Sequence, residues 1–146
     1  MYVSYANLVK HLADTKTPSV NYAEGSLFIN VTAIRDPANK WHMSKQMYPG
    51  TTYPPYLSGT GYVVSGDVTA KIYKKSLDTS YFCIEDVFVG VCLDSLNIRP
   101  TWNKNFNYLE TPYSYCRYRK LITSHMVPPL EMHKIWKDQQ RQIVCE

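Results

Sequence analysis

Hydrophobic residues recur at the spacing of one helix face in four stretches of the chain. In the first stretch, Leu12 lies four positions after Leu8 and three after Val9, as neighbours on a helix surface do. The later stretches begin at residues typical of helix N-termini, either an acid that can cap the helix or a proline. The predicted helices are 5–14, 68–77 with Asp67 as its cap, 87–96, and a final helix opened by Pro128-Pro129 that packs through Met132, Ile135, Trp136 and Ile143.

Short apolar runs between turn residues predict the strands. Residues 121–126 alternate along the chain, which places Leu121, Thr123 and His125 on one face of a strand. Strands interleaved with helices indicate a mixed α/β fold, and neither a repeat nor a low-complexity tract divides the chain. The predicted strands are 26–31, 61–65, 81–84 and 121–126, with a short strand around Trp41 inside the loop 35–50 and a second loop at 97–112.

Composition limits the classes of protein to which the chain can belong. Its 146 residues are 45% hydrophobic, enough for one core, and 13 of them are tyrosine, a residue that suits sugar stacking. The net charge of +4 is mild, and the one basic cluster, 117–120, is interrupted by Tyr118, so a nucleic-acid partner is not predicted. The sequence shows neither an apolar run of membrane-spanning length nor a signal-peptide pattern, and nothing in it indicates an oligomeric state.

A glycine-rich motif follows a rigid aromatic turn. In Tyr53-Pro54-Pro55-Tyr56 each proline fixes its own φ and restrains the residue before it. The next segment, Ser58-Gly59-Thr60-Gly61-Tyr62, reads as a bend before a strand, where glycines let the backbone approach a ligand. It is not a phosphate P-loop, because no Lys-Ser or Lys-Thr follows and a strand comes next. A simple tight bend is the alternative.

An acidic pair, Glu85 and Asp86, opens the motif Glu85-Asp86-Val87-Phe88-Val89-Gly90 at a predicted helix start. Adjacent side chains point in different directions, so the two carboxylates have different roles. One carboxylate suits the positive end of the helix, and both acids decorating that end is the alternative interpretation. The other carboxylate is a candidate general base for a reaction in a pocket beside the glycine motif.

The two motifs together resemble the β-1,3-galactosyltransferases, Golgi enzymes that transfer a hexose from a UDP-sugar. The resemblance rests on the segments 54–68 and 85–98. Upstream it includes Asn7-Leu8, Ile34-Arg35-Asp36 and Lys40-Trp41, and downstream it includes Cys116-Arg117-Tyr118-Arg119 and 131–136. It implies the C-terminal portion of a GT-A type α/β domain with a mixed sheet. That family carries a DxD segment just before a stretch similar to Met1-Tyr2-Val3-Ser4. The chain is therefore expected to be part of a type II signal-anchored protein of the lumenal Golgi membrane, without the donor-binding half and the anchor.

The resemblance also implies roles for individual residues. Asp86 is the expected base, with Glu85 orienting it, and His125 is the expected manganese ligand beside the absent DxD acid. A packing or capping role is the alternative for His125. The residues expected to line the donor and acceptor pocket are Gly59, Thr60, Gly61 and Tyr62, and Tyr53, Tyr56 and Trp41 are candidates to stack on sugars or, alternatively, to pack under the loop.

Lumenal residence favours disulfides, and the four cysteines form no CxxC pair. The preferred bridge joins Cys92 to Cys116, and Cys83 is expected to be a buried thiol. The resemblance implies a cysteine at the position of Leu57, and its replacement by leucine leaves Cys145 without an obvious partner. Asn30-Val31-Thr32 is a glycosylation sequon placed in a predicted strand, and it is either used or a chance triplet.

The expected activity of the parent protein is manganese-dependent, inverting transfer of galactose from UDP-galactose to the 3-hydroxyl of a glycan such as terminal N-acetylglucosamine. One alternative is transfer of N-acetylglucosamine or N-acetylgalactosamine from its UDP-sugar by the same chemistry. A different class of function is also open, because residues 1–146 alone are expected to have negligible transferase activity. They would then be a non-catalytic carbohydrate-binding fragment.

Overall fold

A computed structural model describes residues 1–141 and 143–145 of the chain. The chain forms two compact units, one built from Met1–Thr17 with Lys104–Glu146 and the other from Pro18–Asn103. The elements, in chain order, are β1 (Tyr2–Val3), α1 (Tyr5–Leu12), β2 (Ala23–Phe28), β3 (Tyr56–Val64), α2 (Gly66–Ser76), α3 (Glu85–Ser95), β4 (Thr101–Trp102), β5 (Phe106–Glu110), α4 (Tyr115–Tyr118), β6 (Thr123–His125) and α5 (Pro129–Gln139).

The first unit is built on a three-stranded sheet in the order β1-β6-β5, with β1 antiparallel and β5 parallel to β6. Helix α1 begins after Ser4, whose hydroxyl accepts a hydrogen bond from the Asn7 N–H. The side-chain amide of Asn7 donates to the carbonyls of Arg119 and Leu121, which ties α1 to the chain ahead of β6. The core of this unit consists of Tyr118, Leu121, Val127 and Ile135.

The disulfide prediction is wrong, because the structure pairs Cys116 with Cys145 and not with Cys92. Cys116 lies on α4 and Cys145 in the segment after α5, so the bridge stays within the first unit. Cys92 is a fully buried free thiol inside α3 of the second unit. The prediction that Cys83 is a buried thiol is also wrong, because its thiol is free and exposed.

The second unit carries a sheet in the order β3-β2-β4, with β3 antiparallel and β4 parallel to β2. Its buried apolar residues form two clusters, and each draws on α3 as well as on the sheet or its flanking loops. Helix α3 is therefore buried along much of its surface, although Glu85 and Asp86 in its first turn stay accessible. The two clusters are Ala33, Met43, Tyr53, Tyr56, Phe82, Ile84 and Val87, and Ala23, Leu57, Val68, Leu93 and Ile98.

Strand β3 contains a large bulge. Gly25 of β2 faces Tyr62, whereas Leu27 faces Leu57, so the whole segment 58–61 stands opposite the single residue Ser26. The glycine motif is therefore not a bend ahead of a strand, as the sequence indicated, but an interruption inside one. Bulges re-aim local side chains and backbone groups without ending the sheet, and they recur beside functional sites.

Several predicted elements differ from those observed. Residues 81–84 form no strand, and neither does the chain around Trp41. Strands β4 and β5 lie in the segment expected to be a loop, where β4 pairs with the distant β2 and β5 pairs with β6. In the final helix Ile135 is buried, but Trp136 is 67% exposed and Ile143 lies beyond the helix.

Helix α2 begins two residues earlier than predicted, with Ser65 at the N-cap position. Asp67 lies in the first turn, where its carboxylate accepts hydrogen bonds from the Ser65 hydroxyl, the Asn21 N–H and the Lys71 ammonium. These bonds, with Lys71 as the largest contribution, hold the pKa of Asp67 well below its usual range. None of the helices in the described part of the chain combines the length and apolar character that crossing a bilayer requires.

Candidate active site

The acidic pair lies in the first turn of α3, as predicted, with Ile84 at the N-cap position. Asp86 Oδ1 accepts a hydrogen bond from the Val87 N–H at 2.9 Å. Asp86 Oδ2 accepts one from the Gly59 N–H, also at 2.9 Å. The Asp86 carboxylate therefore joins the start of α3 to the bulge of β3, and backbone donors orient both of its oxygens.

Glu85 has a different partner from Asp86. Its Oε1 accepts a hydrogen bond from the Tyr62 hydroxyl at 2.5 Å, so the residue that ends the bulge is fastened to the start of α3. Burial, and then the hydrogen bond to Glu85 and its negative charge, raise the pKa of Tyr62 above its usual value. The phenol therefore remains a hydrogen-bond donor at ordinary pH.

Gly61 and Gly59 are each favoured in the bulge for a different structural reason. Gly61 has a φ of 137°, a conformation that side-chain-bearing residues rarely adopt. A Cβ on Gly59 would lie 3.3 Å from Asp86 Oδ2, so the missing side chain allows the close approach that the N–H bond requires. The hydroxyls of Ser58 and Thr60 are 3.0 Å apart and hydrogen-bonded inside the bulge.

Helix α3 packs against the aromatic turn before β3. Gly90 lies against Tyr56 so closely that a Cβ on Gly90 would be 2.4 Å from the Tyr56 Cβ. Tyr56 is buried, stacked on Phe28 with ring centroids 5.3 Å apart and edge-on to Tyr53 at 6.2 Å. Tyr53 and Tyr56 therefore pack under the loop, which was the alternative to stacking on sugars. Burial, and then the charge of Asp86, raise the pKa of Tyr56 to about 12.

Arg35 organises the loop that leads to this turn, and Trp41 lies exposed in the same loop. Trp41 is 52% exposed, and the Lys40 Nζ lies 4.3 Å from the centroid of its ring. The Arg35 guanidinium donates to the carbonyls of Met43, Tyr48 and Gly50, at 2.6, 3.0 and 2.5 Å. The resemblance includes Arg35, but the sequence did not predict that its guanidinium fixes the loop.

The remaining candidates lie away from the acidic pair in sequence. His125 is exposed at the end of β6 in the first unit, where its register partner is Glu110. Asn30 is exposed just after β2 with a φ of 57°, so the sequon is in a bend rather than a strand. Within residues 1–141 and 143–145, no group of three or more His, Cys, Asp or Glu side chains is placed to hold a metal ion.

Comparison with known proteins gives the class to which this fold and site belong. The galactosyltransferase family model matches residues 1–104, and the chain belongs to that family. It is 46% identical over 139 residues to beta-1,3-galactosyltransferase 1 of Mus musculus and of Homo sapiens, an alignment that covers 94% of this chain and 42% of theirs. It is 41% identical over 145 residues to beta-1,3-galactosyltransferase 2 of Homo sapiens, covering 97% of this chain and 34% of that protein.

These findings confirm the predicted family, whose matched relatives are named beta-1,3-galactosyltransferases, and the α/β fold class. The mixed α/β architecture is consistent with a portion of a GT-A type galactosyltransferase domain. The chain spans about two fifths of the length of its galactosyltransferase 1 relatives and about a third of its galactosyltransferase 2 relatives. The matched family segment contains Glu85, Asp86 and the whole β3 bulge.

Proposed function

We propose that the protein containing these residues transfers galactose from UDP-galactose to the 3-hydroxyl of a glycan acceptor such as terminal N-acetylglucosamine, with inversion at the anomeric carbon. The names of the relatives support galactosyl transfer and the 3-linkage. The single observation that carries the proposal is the Asp86 carboxylate, which two backbone N–H groups orient at the accessible end of α3.

Asp86 acts as the general base in this proposal. Each carboxylate oxygen has two lone pairs and uses one for a backbone N–H, so each retains a lone pair for a substrate proton. As the acceptor oxygen attacks the anomeric carbon, Asp86 takes the proton of the 3-hydroxyl. The bond from the anomeric carbon to the UDP oxygen breaks, and UDP leaves with that electron pair. The orientation of Asp86 is set before substrate arrives, which lowers the entropic cost of the step.

Manganese is the proposed cofactor, and it would neutralise the charge of the departing diphosphate. We propose that His125 contributes an imidazole to it, a donor that manganese accepts together with oxygen ligands. One imidazole does not make up a manganese shell, and the described residues hold no cluster that would complete it. The steps assigned to Asp86 accordingly depend only on residues of this chain.

The proposed compartment is the lumenal side of the Golgi membrane, where UDP-sugar donors and glycan acceptors meet. The disulfide between Cys116 and Cys145 supports an oxidising compartment. The family of the relatives supports a glycosylation compartment. We propose that the protein is held there by a type II signal anchor.

The test is turnover by the full-length protein with Asp86→Asn. A positioned general base contributes roughly 10²- to 10⁴-fold to rate, so we expect kcat for UDP release to fall at least about a hundredfold. UDP binding and the circular dichroism spectrum should stay as in the wild type, because asparagine keeps the size and one acceptor oxygen of the side chain. Asp78→Asn, at an exposed turn of the same unit, is the matched control and should leave kcat unchanged. An active Asp86→Asn enzyme would remove Asp86 from the mechanism.

The donor sugar is tested in the same assay. UDP-galactose should be consumed in preference to UDP-N-acetylglucosamine and UDP-N-acetylgalactosamine when each is offered with manganese and the same acceptor. Preference for either acetylated donor would replace galactose in the proposal and leave the chemistry of Asp86 intact.

A second candidate function applies to residues 1–146 alone, because they span about two fifths of the length of the galactosyltransferase 1 relatives. We propose that this segment by itself is a non-catalytic carbohydrate-binding fragment with negligible transferase activity. The check is release of UDP from UDP-galactose by the purified segment with manganese and acceptor. Turnover clearly above that of a boiled sample would show that the segment is catalytic on its own.

A further inference from the structure

The start of α3 is fastened to β3 at two points. Gly59, in the middle of the bulge, bonds to Asp86, and Tyr62, where the ladder with β2 resumes, bonds to Glu85. The two acceptors are consecutive residues in the first turn of one helix, and the two donors are three residues apart on one strand. Fixing either contact therefore restricts the geometry available to the other.

The contact between Gly59 and Asp86 joins the exposed middle of the bulge to α3. The bulge segment stands opposite only Ser26 of β2, and the bond between the Ser58 and Thr60 hydroxyls is internal to the bulge. Gly59 itself is exposed, so solvent competes for its N–H. The Gly59 N–H will stay directed at Asp86 only if the flanking strand is fixed relative to α3.

Tyr62 is suited to fix that strand. It lies in register with Gly25, where a side chain on Gly25 would place its Cβ 2.9 Å from the Tyr62 Cβ, so the tyrosine closes tightly against the backbone of β2. Its ring packs at the edge of the cluster that contains Leu57 and Leu93. Because the Cβ and ring of Tyr62 are held in this way, its hydroxyl reaches Glu85 from a fixed position.

We propose that Tyr62 and Glu85 form a latch between β3 and α3 that keeps the Gly59 N–H on Asp86, so that Tyr62 is a positioning residue for the general base. The proposal rests on the proposed function in its catalytic part, since it assigns the latch to the orientation of Asp86 during proton transfer. Glu85 then acts through its hydrogen bond to Tyr62 rather than through contact with the reacting atoms.

The kinetic test uses the full-length protein and a double-mutant cycle. Tyr62→Phe removes only the hydroxyl, and we expect kcat to fall about tenfold, the lower end of the range for a hydrogen bond to a charged group, with KM for UDP-galactose within about twofold. Glu85→Ala should cause the same loss, and the double variant should be no slower than either single variant, because both remove one interaction. Tyr73→Phe, at an exposed position of α2, is the matched control and should change nothing.

Glu85→Gln separates the hydrogen bond from the charge. Glutamine retains a carbonyl oxygen that accepts from Tyr62, so this variant should keep kcat within about threefold of wild type and well above Glu85→Ala, as expected when only the charge assistance of a hydrogen bond is lost. A Glu85→Gln enzyme as slow as Glu85→Ala would assign the effect to the charge of Glu85 and overturn the latch. Additive losses in the double variant would overturn it too.

A spectroscopic measurement on the 146-residue chain tests the latch without turnover. In the ¹⁵N-labelled chain, Tyr62→Phe should speed hydrogen exchange of the Gly59 amide about tenfold, whereas Tyr73→Phe should not, since exchange reports local opening. An unchanged Gly59 amide in Tyr62→Phe would overturn the latch even if Asp86 proves to be the base. Absence of galactosyl transfer by the wild-type full-length protein would overturn the proposed function instead, so the two failures are distinguishable.

Discussion

Replacing Gly90 by alanine tests how α3 is seated on the turn before β3. The added Cβ would stand 2.4 Å from the Tyr56 Cβ, 3.1 Å from the Tyr56 Cα and 3.3 Å from the Pro55 carbonyl oxygen. Carbon atoms in contact lie about 3.5 to 4.0 Å apart, so the helix and the turn would have to separate by about 1 Å. The atoms that clash are backbone atoms or are attached directly to it, so rotation of a side chain cannot relieve the overlap.

The expected change in the free energy of unfolding of Gly90→Ala combines two opposing effects. Overpacking of a well-packed core costs about 1 to 3 kcal/mol, and the rigid neighbours at Gly90 place the cost near the upper end. Alanine regains about 0.5 to 1 kcal/mol relative to glycine inside a helix. We therefore expect the free energy of unfolding to fall by about 2 kcal/mol, which for a urea m-value of about 2 kcal/mol/M lowers the midpoint by about 1 M.

The assay is urea unfolding of the 146-residue chain followed by circular dichroism, with Gly66→Ala as the control in the same unit. A Cβ on Gly66 meets no atom within 4 Å, so this variant should match or slightly exceed the wild type. If Gly90→Ala proves as stable as Gly66→Ala, the close packing of α3 on Tyr56 is refuted, and crowding no longer explains the glycine at position 90.

Three further predictions concern other parts of the chain. Cys116→Ser should lower the stability of the first unit by about 3 to 4 kcal/mol, the chain-entropy value for a bridge of this span, whereas Cys83→Ser should not, and thermal unfolding of both variants measures the difference. Asp67 has a lowered pKa in the folded chain, so its stabilising contribution is present above about pH 4 and is lost as the pH falls below that, and Asp67→Asn should flatten the acid limb of stability against pH. Asn30 is exposed in a bend, so expression in a secretory host should give a glycosidase-sensitive mass increase that Asn30→Gln abolishes, and an unshifted wild-type band would contradict this.

Local signals predicted the four longer helices, because the causes of those helices are local, but not the short helix α4. The helix predicted at 87–96 is observed as Glu85–Ser95, and the acidic pair lies in its first turn as expected. Residues 81–84 show the limit of such signals. Phe82 and Ile84 are buried while Tyr81 and Cys83 are exposed, the alternation of a strand, yet the segment has no strand partner among the described residues. Alternation indicates which side chains face the core, whereas a strand also requires a neighbouring segment that its backbone can pair with.

The site was predicted as two motifs but not as one arrangement. Gly59 and Asp86 are 27 positions apart, and their contact depends on the register of β3 against β2, which no single segment encodes. The resemblance implied that Glu85 orients Asp86. In the structure the backbone amides of Gly59 and Val87 bond to Asp86, and Glu85 bonds to Tyr62. The disulfide failed for a related reason, because four cysteines allow three full connectivities and spacing does not rank them.

The partner of Asp86 in the bulge is a main-chain N–H, and this has a consequence for mutational scanning. Almost every substitution at position 59 keeps the amide, so such variants report crowding by the new side chain and not loss of the hydrogen bond. Proline alone among the standard residues removes the donor. A scan of side-chain substitutions would therefore identify position 59 as a steric constraint and miss the donor that orients Asp86. Replacing the N–H of residue 59 by an ester oxygen would delete this donor without adding a side chain.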